Sequence, residues 1–247
     1  MKKLFIEQFI AKYNLASGDV ETAKWSVTDH FVSVRFTSAD ESCFGYVQSG
    51  IPELPNGDYY IANTSTLRSM LSVLGDDCTV TTKKNTAGVP ISFLWMDKAS
   101  KISFPLGDPA LAKKHRNASA PVDPATTLIS IPLTPTFVQS FLRARGALKD
   151  VETVTLASNG QTVEVIIGYE TKGNSNRITL TPDASIINTM PHINYKSKYL
   201  AEIITANKDM PVGTLSVIHV EPSPPFLRIE FNSPTTNSIY IILRTME

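Results

Sequence analysis

The sequence predicts an α+β fold in which antiparallel sheets dominate and a few short helices lie on them. Three observations lead there. Four segments have helical periodicity, the segments between them alternate like strands, and a helix-then-strands plan near the C-terminus repeats one met earlier. The late copy runs from Tyr195 to Lys208 and is followed by three alternating strands; the early copy runs from Thr64 to Gly75 and is again followed by strand-like segments. Duplication of this kind suggests a symmetric assembly and points away from a single catalytic pocket.

The first helix is expected over about Lys3 to Asn14, with Leu4, Phe5, Phe9 and Tyr13 near one side and Ile6 and Ile10 blurring the stripe. Trp25 to Phe36 alternates and reads as a strand. The second helix, about Ser65 to Leu74, places Leu67, Met70, Leu71 and Leu74 at i, i+3, i+4 and i+7. Thr64 or Ser65 would cap its start and Gly75 would stop it in the left-handed conformation. Gly107 to Pro124 is rich in Pro, Ala and charge, lacks either period, and reads as a linker between two halves.

The third helix begins at Thr134-Pro135, a capping residue followed by proline in the first turn. It is expected to bury Phe137, Val138, Phe141 and Leu142 and to end near Gly146. Val151–Leu156, Thr162–Tyr169 and Arg177–Leu180 then alternate as strands, with Ser158-Asn-Gly160 as a turn signal. The fourth helix spans about Ser197 to Lys208, with Tyr199, Leu200, Ile203 and Ile204 on one side. Thr214–Val220, Phe226–Phe231 and Ser238–Leu243 close the chain as strands, and Ser223-Pro-Pro225 reads as a turn. All four helices are short and one-faced, so each needs a sheet beneath it to be stable. The spacing argues for antiparallel meanders rather than βαβ units.

The chain has 247 residues, 42% of them hydrophobic, enough for two ordinary domains. The reading is 1–106 and 126–247, joined by a connector at 107–125. Lys plus Arg and Asp plus Glu each total 23, so no overall charge draws the chain to nucleic acid or an anionic membrane. The opening Met-Lys-Lys-Leu-Phe-Ile has the look of a signal sequence, but Glu7 and Gln8 interrupt the apolar run and no small-residue cleavage site follows. No stretch approaches the roughly 18 apolar residues that span a bilayer. Cys43 and Cys78 form neither a disulfide framework nor a metal-ligand spacing. A soluble, cytoplasmic protein without membrane contact is expected.

Residues for catalysis are not evident. Nucleophile-elbow, zinc-protease, Walker and dinucleotide motifs are all missing, and no cofactor or metal is expected. His30, His115, His192 and His219 are scattered and read as ordinary strand or loop residues; Asp40-Glu41 and Asp76-Asp77 read as solvated loops. The chain is not read as an enzyme.

Positive charge, by contrast, gathers on the helical segments. Lys2, Lys3 and Lys12 lie in or beside the first, Arg68 in the second, Arg143, Arg145 and Lys149 in or after the third, and Lys196, Lys198 and Lys208 in or beside the fourth. Inside those segments the acidic residues are mainly Glu7 and Glu202. A solvated helix face would account for this as well. The functional reading is a surface for DNA phosphates, which needs dispersed Lys and Arg without base-reading side chains.

This arrangement resembles the DNA sliding clamps, the processivity-factor family of proliferating cell nuclear antigen and the T4-type bacteriophage clamps. The residues that carry the resemblance are Lys198-Tyr-Leu-Ala-Glu-Ile-Ile-Thr-Ala, Gly213-Thr-Leu-Ser-Val, Pro225-Phe-Leu-Arg-Ile-Glu-Phe and Ile239-Tyr-Ile-Ile-Leu, in that order and spacing. Phe141-Leu-Arg-Ala-Arg-Gly followed by Val151-Glu-Thr-Val-Thr-Leu resembles the opening of the family's second domain. The first half matches through Leu67–Leu74 and Trp25–Phe36, and departs at its start, where a strand normally precedes the first helix.

The resemblance implies the DNA clamp fold, two similar domains each with two short helices on antiparallel sheets, closed head-to-tail into a homotrimeric ring with helices inward around duplex DNA. It implies that the strand holding Lys101, Ile102 and Phe104 pairs with the strand of the next subunit holding Arg177, Ile178 and Leu180. It also implies a pocket for partner peptides at His30, Phe31, Pro225, Tyr240, Ile242 and Leu243. The partners would be encircled non-specific double-stranded DNA, a DNA polymerase and a separate clamp loader ATPase, in the host cytoplasm if the protein is that of a bacteriophage. The alternative is a β-rich phage ring, tail or capsid protein.

Overall fold

The computed structural model describes residues 2–15, 18–51, 53–112, 115, 118, 125–170 and 176–245. Helix α1 (Lys3–Asn14) buries Ile6, Phe9, Ile10 and Tyr13, an i, i+3, i+4, i+7 stripe. Leu4 and Phe5, expected on the buried side, are instead 56% and 48% exposed. The rotation of the helix is fixed by aromatic packing. The Phe9 ring meets Trp25 edge-on at 5.3 Å and Tyr13 meets it at 6.3 Å, which turns Ile6 rather than Phe5 inward.

The stretch expected to be one strand from Trp25 to Phe36 is a hairpin, β1 (Ala23–Thr28) and β2 (Phe31–Thr37), paired with Trp25 opposite Val34. Asp29 and His30 form its two-residue turn with φ of 49° and 69°. A two-residue hairpin whose central residues both have positive φ matches the twist of its strands, and Asp and His tolerate that region better than most side chains. Strands β3 (Cys43–Gly50) and β4 (Gly57–Ile61) complete a sheet in the order β4-β1-β2-β3.

Helix α2 (Thr64–Leu71) is shorter than expected and is capped by Asn63, whose side-chain oxygen accepts from the Thr66 N–H at 2.7 Å. Gly75 does not adopt the left-handed stop; the last turns close through Ser72 N–H to Arg68 O and Leu74 N–H to Leu71 O. Beyond it, β5 (Thr79–Lys84), β6 (Pro90–Met96) and β7 (Lys101–Pro105) form a three-stranded sheet with β6 in the middle. Trp95, Phe93, Tyr59 and Trp25 pack in a chain of ring contacts between 4.7 and 6.0 Å, so β6 and the β1 sheet share one aromatic core.

The same plan recurs later. Strand β8 (Thr126–Leu133) leads into α3 (Pro135–Ala147), where the Thr134 hydroxyl accepts from the Phe137 N–H and Pro135 occupies the first turn. Phe137, Phe141 and Ala144 are buried, whereas Val138 and Leu142 are only half-buried. Strands β9 (Thr153–Ser158), β10 (Val163–Ile167), β11 (Ile178–Leu180) and β13 (Met190–Lys196) form a sheet ordered β11-β10-β9-β13. The two-residue strand β12 (Ile186–Ile187) pairs with β8. Helix α4 (Ser197–Ala206) buries Tyr199, Leu200, Ile203 and Ile204 as expected and feeds β14 (Gly213–Val220), β15 (Ser223–Asn232) and β16 (Thr236–Leu243).

Pro224 and Pro225, read as a turn, belong to β15. They lie where the pairing with β14 shifts, between Ile218 opposite Phe226 and Val220 opposite Ser223. A bulge needs no ladder N–H at these positions, so proline fits there.

Two compact units result: Met1–Ala39, Phe44–Asn117 and Pro234–Ser238 form one, and Asp40–Cys43, Ala118–Ser233 and Ile239–Glu247 the other. Their plans correspond, α1 and α2 to α3 and α4, and β5-β6-β7 to β14-β15-β16. The second unit adds β8 beside β14, while among the described residues the corresponding place in the first has the isolated Lys2–Asp77 bridge just before β5. Of the expected connector, Pro109–Leu111 form one 3-10 turn; residues 113–114, 116–117 and 119–124 lie outside the described residues. Among the described residues no helix is long and apolar enough to cross a membrane.

Candidate nucleic-acid interface and partner cleft

Within each unit the two helices pack side by side, α1 with α2 and α3 with α4. The cations singled out in the sequence lie in or beside these helices, and local chemistry sorts them sharply. Arg68, Arg143, Lys149, Lys198 and Lys208 are exposed. The Lys198 ammonium stands 5.5 Å from the centre of the Tyr199 ring, which holds it along the helix surface.

The other five have structural positions. Lys12 is 1% exposed, inside the first unit's core, so its ammonium does not reach a phosphate. Lys3 donates to the Leu74 carbonyl at 2.7 Å and so fastens the start of α1 to the end of α2. Arg145 donates to the Leu148 and Lys149 carbonyls at 2.9 and 2.6 Å, closing the C-terminus of its own helix, where a cation is favoured. Lys196 pairs with Asp40, which also accepts from the Tyr199 hydroxyl at 2.9 Å. Lys2 pairs with Asp77 at 2.6 Å, and both groups are solvent-exposed.

The exposed cations are therefore concentrated on α3 and α4 and just beyond their C-terminal ends. The outward face of α1 and α2 adds Arg68, and Leu4, Phe5 and Val73 are exposed there as well.

A cleft of about 700 Å³ opens in the second unit. Leu128, Met190, Pro191, Ile193 and Pro225 form its apolar part, and Thr189, His192, Asn194, His219, Arg244 and Thr245 its polar part. Its geometry follows from the strands that bound it. The β14–β15 irregularity projects His219 and Pro225 to the same place, and the Thr245 N–H donates to the Asn194 carbonyl at 2.9 Å, holding the end of the chain against β13. The His192 ring stacks on Tyr169 with centroids 4.4 Å apart and planes 13° from parallel.

Of the six residues expected to receive a partner peptide, Pro225 lines this cleft. Tyr240 and Ile242 are wholly buried and belong to the core. The Tyr240 hydroxyl accepts from the Asn207 amide at 2.9 Å, and the same amide donates to Ile203 O, so this tyrosine closes the end of α4. Leu243 is half-buried next to the cleft-lining Arg244. His30 and Phe31 belong to the first unit, in the hairpin turn and at the start of β2; Phe31 is 40% exposed and its ring lies against Gly50. Sequence reasoning missed Met190, His192, Asn194, His219 and Arg244. The alternation of Ile193 and Tyr195 with Asn194 and Lys196 was the available signal, and it reaches only Asn194 among the five.

The six residues expected at a subunit contact lie on or beside two terminal strands. Among the described residues β7 pairs only with β6 and β11 only with β10, so each leaves one row of backbone groups unpaired there. On β7, Ile102 and Phe104 point inward and Lys101 is exposed; on the other strand, Ile178 and Leu180 are half-buried and Arg177 is exposed.

Comparison with known proteins adds to this geometry. No family model and no curated protein sequence matches the chain. Among solved structures, the crystal structure of Proliferating Cellular Nuclear Antigen from Entamoeba histolytica is similar at a TM-score of 0.70 and 12% identity, covering 99% of this chain and 96% of that one. The similarity extends over both units, and the chain has the sheet-dominated α+β fold of that clamp.

Proposed function

We propose that this chain is a DNA sliding clamp: three copies close head-to-tail into a ring, helices inward around duplex DNA, and tether a DNA polymerase to its template. The observation that carries the reading is the likeness to proliferating cell nuclear antigen along 99% of the chain, with both units present. The two unpaired edges, β7 and β11, support closure, because an edge strand is a template for sheet extension and a ring leaves neither exposed. Ring closure makes tight DNA affinity unnecessary. A few dispersed cations exchange phosphates without reading bases, so the ring slides. The exposure of Arg143, Lys149, Lys198 and Lys208 supports that role.

On this reading a separate ATP-driven loader opens the ring, and partner proteins dock a short peptide in the Pro225 cleft. The divergence of the sequence fits a bacteriophage clamp working in the host cytoplasm. Replacing Arg143, Lys198 and Lys208 together with Glu tests the inner face. Processive primer extension by the cognate polymerase should be lost while the mass in solution is unchanged; undiminished extension would refute the assignment of these helices to DNA.

A further inference from the structure

The cleft of the second unit is chemically lopsided. Among the described residues, Arg244, His192 and His219 line it and no Asp or Glu does. A carboxylate, that of Glu164, lines the neighbouring cavity of about 160 Å³, which shares only Met190 and His192 with the cleft. Arg244 is exposed and makes no ion pair among the described residues. Its guanidinium is thus hydrated in the open cleft and would lose that water beneath any apolar segment laid over Met190 and Pro225. Covering a charge is costly unless an opposite charge replaces the water. A guanidinium is matched best by a carboxylate, which it grips through two parallel N–H groups.

We infer that the cleft selects a partner peptide in which an Asp or Glu, gripped by Arg244, stands beside an apolar anchor seated on Met190 and Pro225. A basic peptide would be repelled by the same group, so the charge gives specificity as well as affinity. Nucleic acid fits less well, since phosphate binding uses rows of cations, whereas here one arginine stands among five apolar residues. The inference rests on the reading of this cleft as the partner site.

The test uses the full chain and two fluorescein-labelled synthetic nonapeptides that share a Leu-Phe anchor and differ in carrying two Asp or two Lys beside it. Fluorescence anisotropy should show the Asp peptide binding on the order of tenfold more tightly, one such charge contact. Arg244→Gln should bring the two peptides within about twofold, and Arg244→Glu should reverse their order. Equal affinities, preference for Lys, no binding of either peptide, or displacement of the Asp peptide by an equimolar thymidine oligonucleotide would each overturn the inference. Light scattering on the same samples separates this result from the clamp reading. A three-chain mass without Asp preference refutes the cleft inference alone, and Asp preference on a monomer refutes the ring alone.

Discussion

At the scale of single residues, position decides what a charge can do. Lys12 and Lys198 look alike in the sequence, yet one ammonium is inside the core and the other is on the surface. Lys12→Glu is expected to destabilise the protein by about 3–5 kcal/mol, the range for breaking a buried charge's interactions, and to lower the melting temperature steeply. Lys198→Glu should leave the melt nearly unchanged, and thermal denaturation of the two variants checks the contrast.

Asp97 carries a second residue-scale prediction. Hydrogen bonds from the Gly75, Ala99 and Ser100 N–H groups hold its carboxyl below the usual range. A carboxyl lowered in the folded state adds stability that is complete above the ordinary value, about 3.9, and is lost as pH falls through the folded-state value. Asp97→Asn should therefore melt lower at pH 7 and lose less further stability from about pH 4 downward than the parent; parallel losses in acid would remove this carboxylate from the account.

At the scale of elements, the helices were legible because their apolar spacing is a direct image of the face they bury. Tyr199, Leu200, Ile203 and Ile204 are all buried as their periodicity requires. The same logic misplaced Leu4 and Phe5, because a run of apolar residues offers several faces and only contact with Trp25 chooses one. Strands were less legible. The Asp29-His30 turn lacks the glycine that marks most two-residue hairpins, which hid the division between β1 and β2. Strands β3 to β5 mix polar, small and apolar residues, and β4 lies beside β1 rather than beside its neighbour in sequence.

The edge strands yield a prediction of their own. Proline placed singly at Ile178, Thr179 and Leu180 samples both backbone directions of β11. Where the lost N–H points away from β10, the variant should fold normally and remain a single chain in size-exclusion chromatography with light scattering. Unchanged assembly at all three positions would argue against sheet extension as the closing contact.

At the scale of the whole molecule, the duplication was visible as two helix-and-strand units, but the site was visible only in part. The cleft gathers Leu128 from β8, His192 from β13, Pro225 from β15 and Arg244 after β16, residues united by pairing rather than by a local motif. Pro225 stood out because the Pro-apolar-x-Ile-Glu-aromatic pattern is local; Arg244 and His219 carry no such mark. Assembly likewise belongs to this scale, and the mass in solution at micromolar concentration should be about three times the 27.1 kDa of one chain.

Encirclement itself is tested most directly by the order in which DNA ends are blocked. Linear duplex with biotin at both ends is incubated with the protein and then capped with streptavidin, or capped first and then incubated. A sliding ring threads onto free ends and is trapped by later capping, so protein should resist a high-salt wash only when it is added before the caps, since salt releases phosphate contacts but not a closed ring. Equal retention in both orders, or loss in both, would contradict the clamp.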